Sequence, residues 1–140
     1  MLFASPEECE QAFYEALAVG DIEAMAELWL RDDDVCCVHP GSGRAVGYNA
    51  VRASWAAILS AGSLRIRTLA RHGFESLTLA ASSLIEEIEV SRGSTRQLVH
   101  VLAANTFVKT PAGWKMAMHL GTPAPQGQAV EAEGLPGTFH

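Results

Sequence analysis

Two histidines and one amide stand where this sequence could handle a proton. His39 closes the run Val35-Cys36-Cys37-Val38-His39, which has strand character, immediately before Pro40-Gly41-Ser42-Gly43. Residues two apart on a strand share a face, so the His39 ring falls on the side of Val35 and Cys37. A neutral imidazole there could take a proton from a carbon acid or a hydroxyl. The structural alternative is a ring whose nitrogens satisfy the hairpin or a helix end, and the residues leave both roles open. Asn105 puts one amide into the row Val99, Val101, Ala103, Phe107. A buried amide must find partners, which makes it either a brace or the group that orients a ligand. His119 alternates with Met116 and Met118 and falls on either face, because the pattern does not fix that strand's register.

Phe13, Trp29, Trp55 and Met118 recur at helical or strand spacing and read first as core, although such rings can also form a pocket wall. Metal chemistry is not expected. His39, His100 and His119 are far apart, with no close His-x-His or carboxylate pairing. No glycine-rich phosphate loop and no nucleophile elbow is present, and no cofactor is called for. Glu87 and Glu89 share one strand side and read as a solvated or edge face rather than as catalytic acids. Cys9, Cys36 and Cys37 have no metal-ligand spacing and are expected as reduced, buried thiols.

The elements that must position these groups follow from local signals. Ser5, Pro6 and Glu8 form an N-cap, a first-position Pro and a carboxylate three residues on, so a first helix starts there. Its stripe is Cys9, Ala12, Phe13, Ala16 and Leu17, and Gly20 ends it. Asp21 caps a second helix with Ile22, Met25, Ala26 and Trp29 on one side. After the 35–39 strand, residues 44–46 can pair back as a hairpin, and a third helix runs from about residue 49 to 61. Strands are expected at 64–71, 76–90, 96–109 and 114–120, with turns at His72-Gly73, 91–94 and 110–113. Three helices followed by an antiparallel meander make an α+β domain in which a curved sheet wraps the helices. Its convex face, with His100, Leu102, Ala104, Thr106 and Val108, then needs a cover, for which a second subunit is expected.

At 140 residues the chain is expected to be one domain over 1–123, with a Pro-, Gly- and Gln-bearing tail at 124–140. Hydrophobic residues at 49% and charged ones at 19% exclude a disordered chain. No apolar run approaches the roughly 20 residues of a membrane helix. Ten Lys plus Arg against 16 Asp plus Glu give a net charge of −6, which repels polyanions, so no nucleic-acid partner is expected. The amino terminus shows no secretion signal, and a cytoplasmic location is the default expectation.

Gly20-Asp21-Ile22-Glu23-Ala24, then Trp29, Val35 to Gly41 and Gly47 resemble the first half of the nuclear transport factor 2-like (NTF2-like) superfamily, which includes ketosteroid isomerases and SnoaL-type cyclases. Ala104-Asn105-Thr106-Phe107, Gly113-Trp114-Lys115-Met116, His119 and Thr122-Pro123 are similar to the last two strands of SnoaL-like proteins related to the association domain of calmodulin-dependent kinase II. The resemblance covers residues 5–123 and implies a cone-shaped, cystatin-like α+β fold: three N-terminal helices packed on a curved mixed or antiparallel sheet. It also implies a concave hydrophobic pocket for a small apolar or aromatic molecule, lined by Phe13, Trp29, Cys37, Trp55, Asn105, Met118 and His119, with His39 as the catalytic candidate. The activities implied are isomerase, cyclase or dehydratase. The alternative is a non-catalytic association module, and a homodimer through the convex face fits both. Ketosteroid isomerisation is not expected. His39 stands where that enzyme has its carboxylate base, and Phe13 and Ala103 stand where it has its oxyanion donors. A phenyl ring and a methyl group supply no hydrogen bond to an enolate oxygen.

Overall fold

In a computed structural model, which describes residues 2–125, the chain begins with α1, Pro6–Val19. The Ser5 hydroxyl accepts from the Glu8 N–H at 3.1 Å, and the Glu8 carboxylate accepts from the Ala4 N–H at 2.8 Å, so two otherwise orphaned donors are satisfied reciprocally. Gly20 ends the helix in the left-handed region at φ 73°, where a side chain would be strained. One residue on, the Asp21 side chain accepts from the Ala24 N–H and starts α2, Ile22–Leu28. Next come β1, Cys36–Val38, β2, Arg44–Val46, and α3, Tyr48–Ser60. Four longer strands complete the domain: β3, Ile66–Glu75, β4, Leu79–Arg92, β5, Thr95–Thr110, and β6, Gly113–Pro123.

These strands form one six-stranded sheet in the order β2-β1-β6-β5-β4-β3. All neighbours are antiparallel except β1 and β6, which run parallel and set Cys37 beside His119. The expected α+β cone of three helices on a curved mixed sheet is therefore what the chain forms.

Two bulges curve the sheet and re-aim side chains. In β6, Met116 pairs with Phe107 and Met118 with Thr106, so Ala117 is an extra residue. This resolves the ambiguity of the last strand. Met116 and His119 point to the helices, while Met118, beside Cys36 and Thr106, lies on the convex face. In β3 the register shifts between Leu69 and His72, and Ala70 takes φ 52°. At His72-Gly73, where a turn is expected, the strand instead continues past the bulge, paired with Ser83 and Ser82, and the chain reverses around residues 76–78, where the Ser76 hydroxyl and the Leu79 backbone bond each other.

The core fills the concave side. Cys9, Phe13 and Leu17 of α1, Met25 and Leu28 of α2, and Val51 and Trp55 of α3 pack against Cys37, Phe107, Trp114 and Met116. Burial of this kind supplies about 25 cal/mol per Å² of apolar surface and holds the helices in the curve of the sheet. Ala124 donates to the His100 carbonyl, extending the last strand by one bond. The tail expected at 124–140 lies, beyond residue 125, outside the described residues.

Candidate functional site

His39 follows β1 and projects to the helix side, on the same face as Cys37. Its ring meets the Trp55 ring edge-on, with centroids 4.5 Å apart, and its Nε2 is 3.1 Å from the Ser54 hydroxyl. The Ser54 hydroxyl donates its own hydrogen to the Val51 carbonyl at 2.8 Å, so towards His39 it can only accept. That assigns the hydrogen to His39 Nε2 and leaves the lone pair on Nδ1; the Cys37 sulfur lies 3.7 Å from Nε2 and 3.9 Å from Nδ1. Half-burial holds the His39 pKa below its ordinary value, so the ring is neutral at pH 7 with one basic nitrogen. The Cys37 thiol, pushed up by burial, stays protonated.

Behind Trp55 lies His119, 3% exposed, with ring centroids 5.6 Å from Trp55 and 5.0 Å from Phe13. Its Nδ1 is 2.6 Å from the Asn105 carbonyl oxygen, which must accept. Burial first, and then the charge of His39, lower the His119 pKa to about 3. Asn105 in turn donates through Nδ2 to Glu10 Oε2 at 2.9 Å and to the Tyr14 hydroxyl at 3.1 Å. The Tyr14 hydroxyl donates to Glu86 Oε2 at 2.7 Å. Glu10 is held further by the Arg71 guanidinium at 2.6 Å and by the Ser82 hydroxyl. A directional chain of hydrogen bonds thus crosses the apolar cone from His119 through Asn105 and Tyr14 to Glu86. Desolvation raises the Glu86 carboxyl to about pH 7, offset in part by the Tyr14 hydrogen bond, and pushes Tyr14 well above its ordinary value.

The expected pocket residues separate into three places. His39, Cys37, Trp55, Phe13, His119 and Asn105 come together in one contiguous set. Trp29 is buried at the far end of the core, bridging to Met116 on β6. Met118 is on the other face of the sheet. The space between His39 and Asn105 is filled by the rings of Phe13, Trp55 and His119, whereas large open grooves lie between α1 and β3, at about 870 Å³, and on the convex face, at about 780 Å³. One feature of the filled site is unsatisfied: the Trp55 indole N–H is buried without a hydrogen-bond acceptor, as is that of Trp29.

Sequence reading missed Glu10, Tyr14, Arg71, Ser82 and Glu86. Glu10 and Tyr14 lie one turn apart on the buried side of α1, among Phe13 and Leu17, so a charge inside an apolar helical stripe was the available signal. Glu86 shares its strand face with Leu84 and Ile88 and was visible by the same parity. Glu87 corrects an expectation: instead of a solvated edge, it is buried on the convex face and holds Arg67 at 2.8 Å and His100 at 3.1 Å. Among the described residues no group of three His, Cys, Asp or Glu could hold a metal ion, and no helix is long and apolar enough to cross a membrane.

Comparison with known proteins places this geometry in context. The family model described as a SnoaL-like domain matches residues 7–125. A solved structure from Streptomyces avermitilis, described as a candidate dehydratase from the NTF2-like family, is 31% identical, with a TM-score of 0.76 over 84% of this chain and 91% of its own. A candidate calcium/calmodulin-dependent protein kinase type II association domain from Thiobacillus denitrificans is 28% identical, with a TM-score of 0.81 over 89% of this chain and 99% of its own. A ketosteroid isomerase-like protein from Erwinia carotovora atroseptica shares the fold at 17% identity and a TM-score of 0.65, over 85% of this chain and 94% of its own. No curated protein matches the sequence significantly.

Proposed function

The chain belongs to the SnoaL-like domain family, and from that premise we propose that it binds a small apolar or aromatic molecule at the His39–Trp55–His119 set and acts on it by proton transfer, as an isomerase, cyclase or dehydratase. His39 is the base, through Nδ1. The observation that carries this reading is the juxtaposition of that basic nitrogen with the unsatisfied Trp55 N–H on the ring packed against it. A buried donor without a partner is disfavoured by about 1–3 kcal/mol, and a ligand oxygen that accepts from it recovers that energy. Rotating the Trp55 ring to admit a ligand breaks no hydrogen bond, because its N–H makes none. Phe13 and Cys37 then line the apolar part of the site, and Asn105 holds His119 against it.

The test is a binding screen of small aromatic and carbonyl compounds against the protein and its His39→Ala and Trp55→Phe variants. Both substitutions should weaken every hit that binds at this site. If His39→Ala leaves the binding of all hits unchanged, the reading fails. Steroid isomerisation stays outside the proposal, since Phe13 and Ala103 offer no donors.

A second reading, assembly through the convex face, is favoured by the apolar groove there, which includes Val38, Ile85, Leu102, Leu120 and Thr122. Leu98, on the His100 face of β5, is exposed besides. A homodimer over this face should bury roughly 1,200 Å² or more in total. A monomer in sedimentation at micromolar concentration would contradict it. The two readings are compatible, because a dimer can carry two pockets.

A further inference from the structure

The hydrogen of His119 is placed by groups that lie beyond the His39 set. The Arg71 guanidinium at 2.6 Å and the Ser82 hydroxyl hold the Glu10 carboxylate as an acceptor. Its Oε2 takes one hydrogen of the Asn105 amide at 2.9 Å, and the Tyr14 hydroxyl takes the other at 3.1 Å. With both amide hydrogens engaged, Asn105 turns its carbonyl oxygen to His119 Nδ1, 2.6 Å away. That contact puts the His119 hydrogen on Nδ1 and leaves Nε2 as a bare acceptor. Resting on the ligand-binding reading above, we propose that His119 Nε2 is a specificity-determining acceptor in the His39–Trp55 site, which therefore takes neutral molecules carrying a hydroxyl as well as the accepting oxygen that meets the Trp55 N–H.

Asn105, His119 and Cys37 form one row across β5, β6 and β1. The Nδ1 edge of the imidazole is turned to Asn105, so its Nε2 edge lies away from β5, on the side of Cys37 and His39. His39 is also the charge that acts on His119. Between the two histidines stands the Trp55 indole, which packs against both, with centroids 4.5 Å from His39 and 5.6 Å from His119. A ligand admitted by rotation of that indole takes its place between the imidazoles and meets both. His119 is 3% exposed, yet among the described residues its Nε2 has no hydrogen-bond partner. The site thus contains two polar groups awaiting a partner, the Trp55 N–H and this lone pair.

The ligand class follows from counting donors and acceptors. His39 offers a lone pair at Nδ1, His119 a lone pair at Nε2, and Trp55 one N–H without an acceptor. A molecule with one accepting oxygen and at least one hydroxyl complements that set, while Phe13 and Cys37 meet its apolar part. A hydroxylated aromatic ketone has this pattern. Methylating its hydroxyl leaves the His119 lone pair buried and unpartnered, which is disfavoured. A carboxylate brings acceptors and a negative charge against two lone pairs, and burial keeps both histidines neutral, so nothing in the set attracts an anion. His119 has no hydrogen at Nε2, so it holds a ligand hydroxyl without donating to it.

The experiment uses meta- and para-hydroxyacetophenone, their methyl ethers and acetophenone as probes, followed by nitrogen-15 spectra of the histidines and the Trp55 indole at pH 7. The unliganded, unsubstituted protein, independent of any variant's folding, should show His119 protonated on Nδ1 and bare on Nε2. At least one hydroxyacetophenone should bind about fivefold tighter than its methyl ether, the value of one neutral hydrogen bond, and should move the His119 Nε2 signal further than the ether does. His119→Phe, which keeps a ring in that place, should remove the preference for the hydroxyl. Asn105→Leu, which releases Nδ1, should let the His119 hydrogen redistribute between the two nitrogens and shrink the preference. The proposal is overturned by a His119 hydrogen on Nε2 in the unsubstituted protein, by ethers that bind as tightly as their phenols, or by a preference that survives His119→Phe. Those results leave the His39–Trp55 reading intact as long as acetophenone shifts His39 and Trp55 together. If no probe shifts either ring, that reading falls and this inference with it.

Discussion

Glu86→Gln should change how stability responds to pH, with a size that follows from the raised carboxyl. A carboxyl that titrates at about 7 in the folded chain and near 4.5 when unfolded keeps its proton longer when folded. Its stabilising contribution is therefore complete below pH 4.5 and is lost as the pH rises to about 7, at about 1.4 kcal/mol per pH unit or about 3 kcal/mol in all. His119 acts in the opposite sense. Its folded pKa of about 3 lies below the ordinary 6.5, so its contribution is present above 6.5 and is lost as the pH falls towards 3. Between pH 4.5 and 6.5 the two slopes oppose each other and the protein should show a flat stretch. Glutamine removes only the Glu86 slope. The assay is urea unfolding read by tryptophan fluorescence, with Trp29, Trp55 and Trp114 all buried as reporters. The variant should gain about 3 kcal/mol relative to the parent between pH 4 and pH 8. Parallel curves across that range would refute the assignment of Glu86 as a buried carboxyl protonated near neutrality.

Tyr14→Phe removes a hydroxyl that Asn105 and Glu86 both use, and should lower stability by about 1–3 kcal/mol in the same unfolding assay; an unchanged midpoint would mean the network carries no energy. Gly113→Ala should destabilise by more than about 1 kcal/mol, because φ is 90° there and a Cβ would stand 2.8 Å from the Phe3 carbonyl oxygen. Calorimetry checks it, and a melting temperature equal to the parent's would contradict the contact. Ser5→Ala should cost about 1 kcal/mol through loss of the α1 cap, read as reduced thermal stability, whereas a neutral result would show that Glu8 alone holds that end.

Much of the architecture was legible because local signals agreed with one another. Ser5 and Asp21 cap the helices they were expected to cap, Gly20 ends α1, and the β5 alternation places Asn105 inward and His100 outward as its parity requires. What escaped was set by single residues whose effect is tertiary. The extra Ala117 shifts the parity of β6, so Met118 and His119 could not be assigned from alternation. The β3 bulge hid a strand that continues past Gly73 and brings Arg71 to Glu10. Glu10 and Glu86 break apolar faces of their own elements, but nothing local reveals that Glu10 meets partners 61 to 95 residues away. The open hollow expected beside His39 is filled by Phe13 and Trp55, since the same rings that could wall a pocket also complete the core.

The central question is whether His39 and Trp55 together receive a ligand. Nitrogen-15 spectra of the imidazole and indole nitrogens at pH 7.5, recorded while aromatic carbonyl compounds are added, answer it most directly. The expected spectrum shows His39 protonated on Nε2 only, and a binding compound moves the Trp55 indole N–H and His39 Nδ1 together. His39 carrying its proton on Nδ1, or an indole signal that no bound compound shifts, would contradict the proposed site.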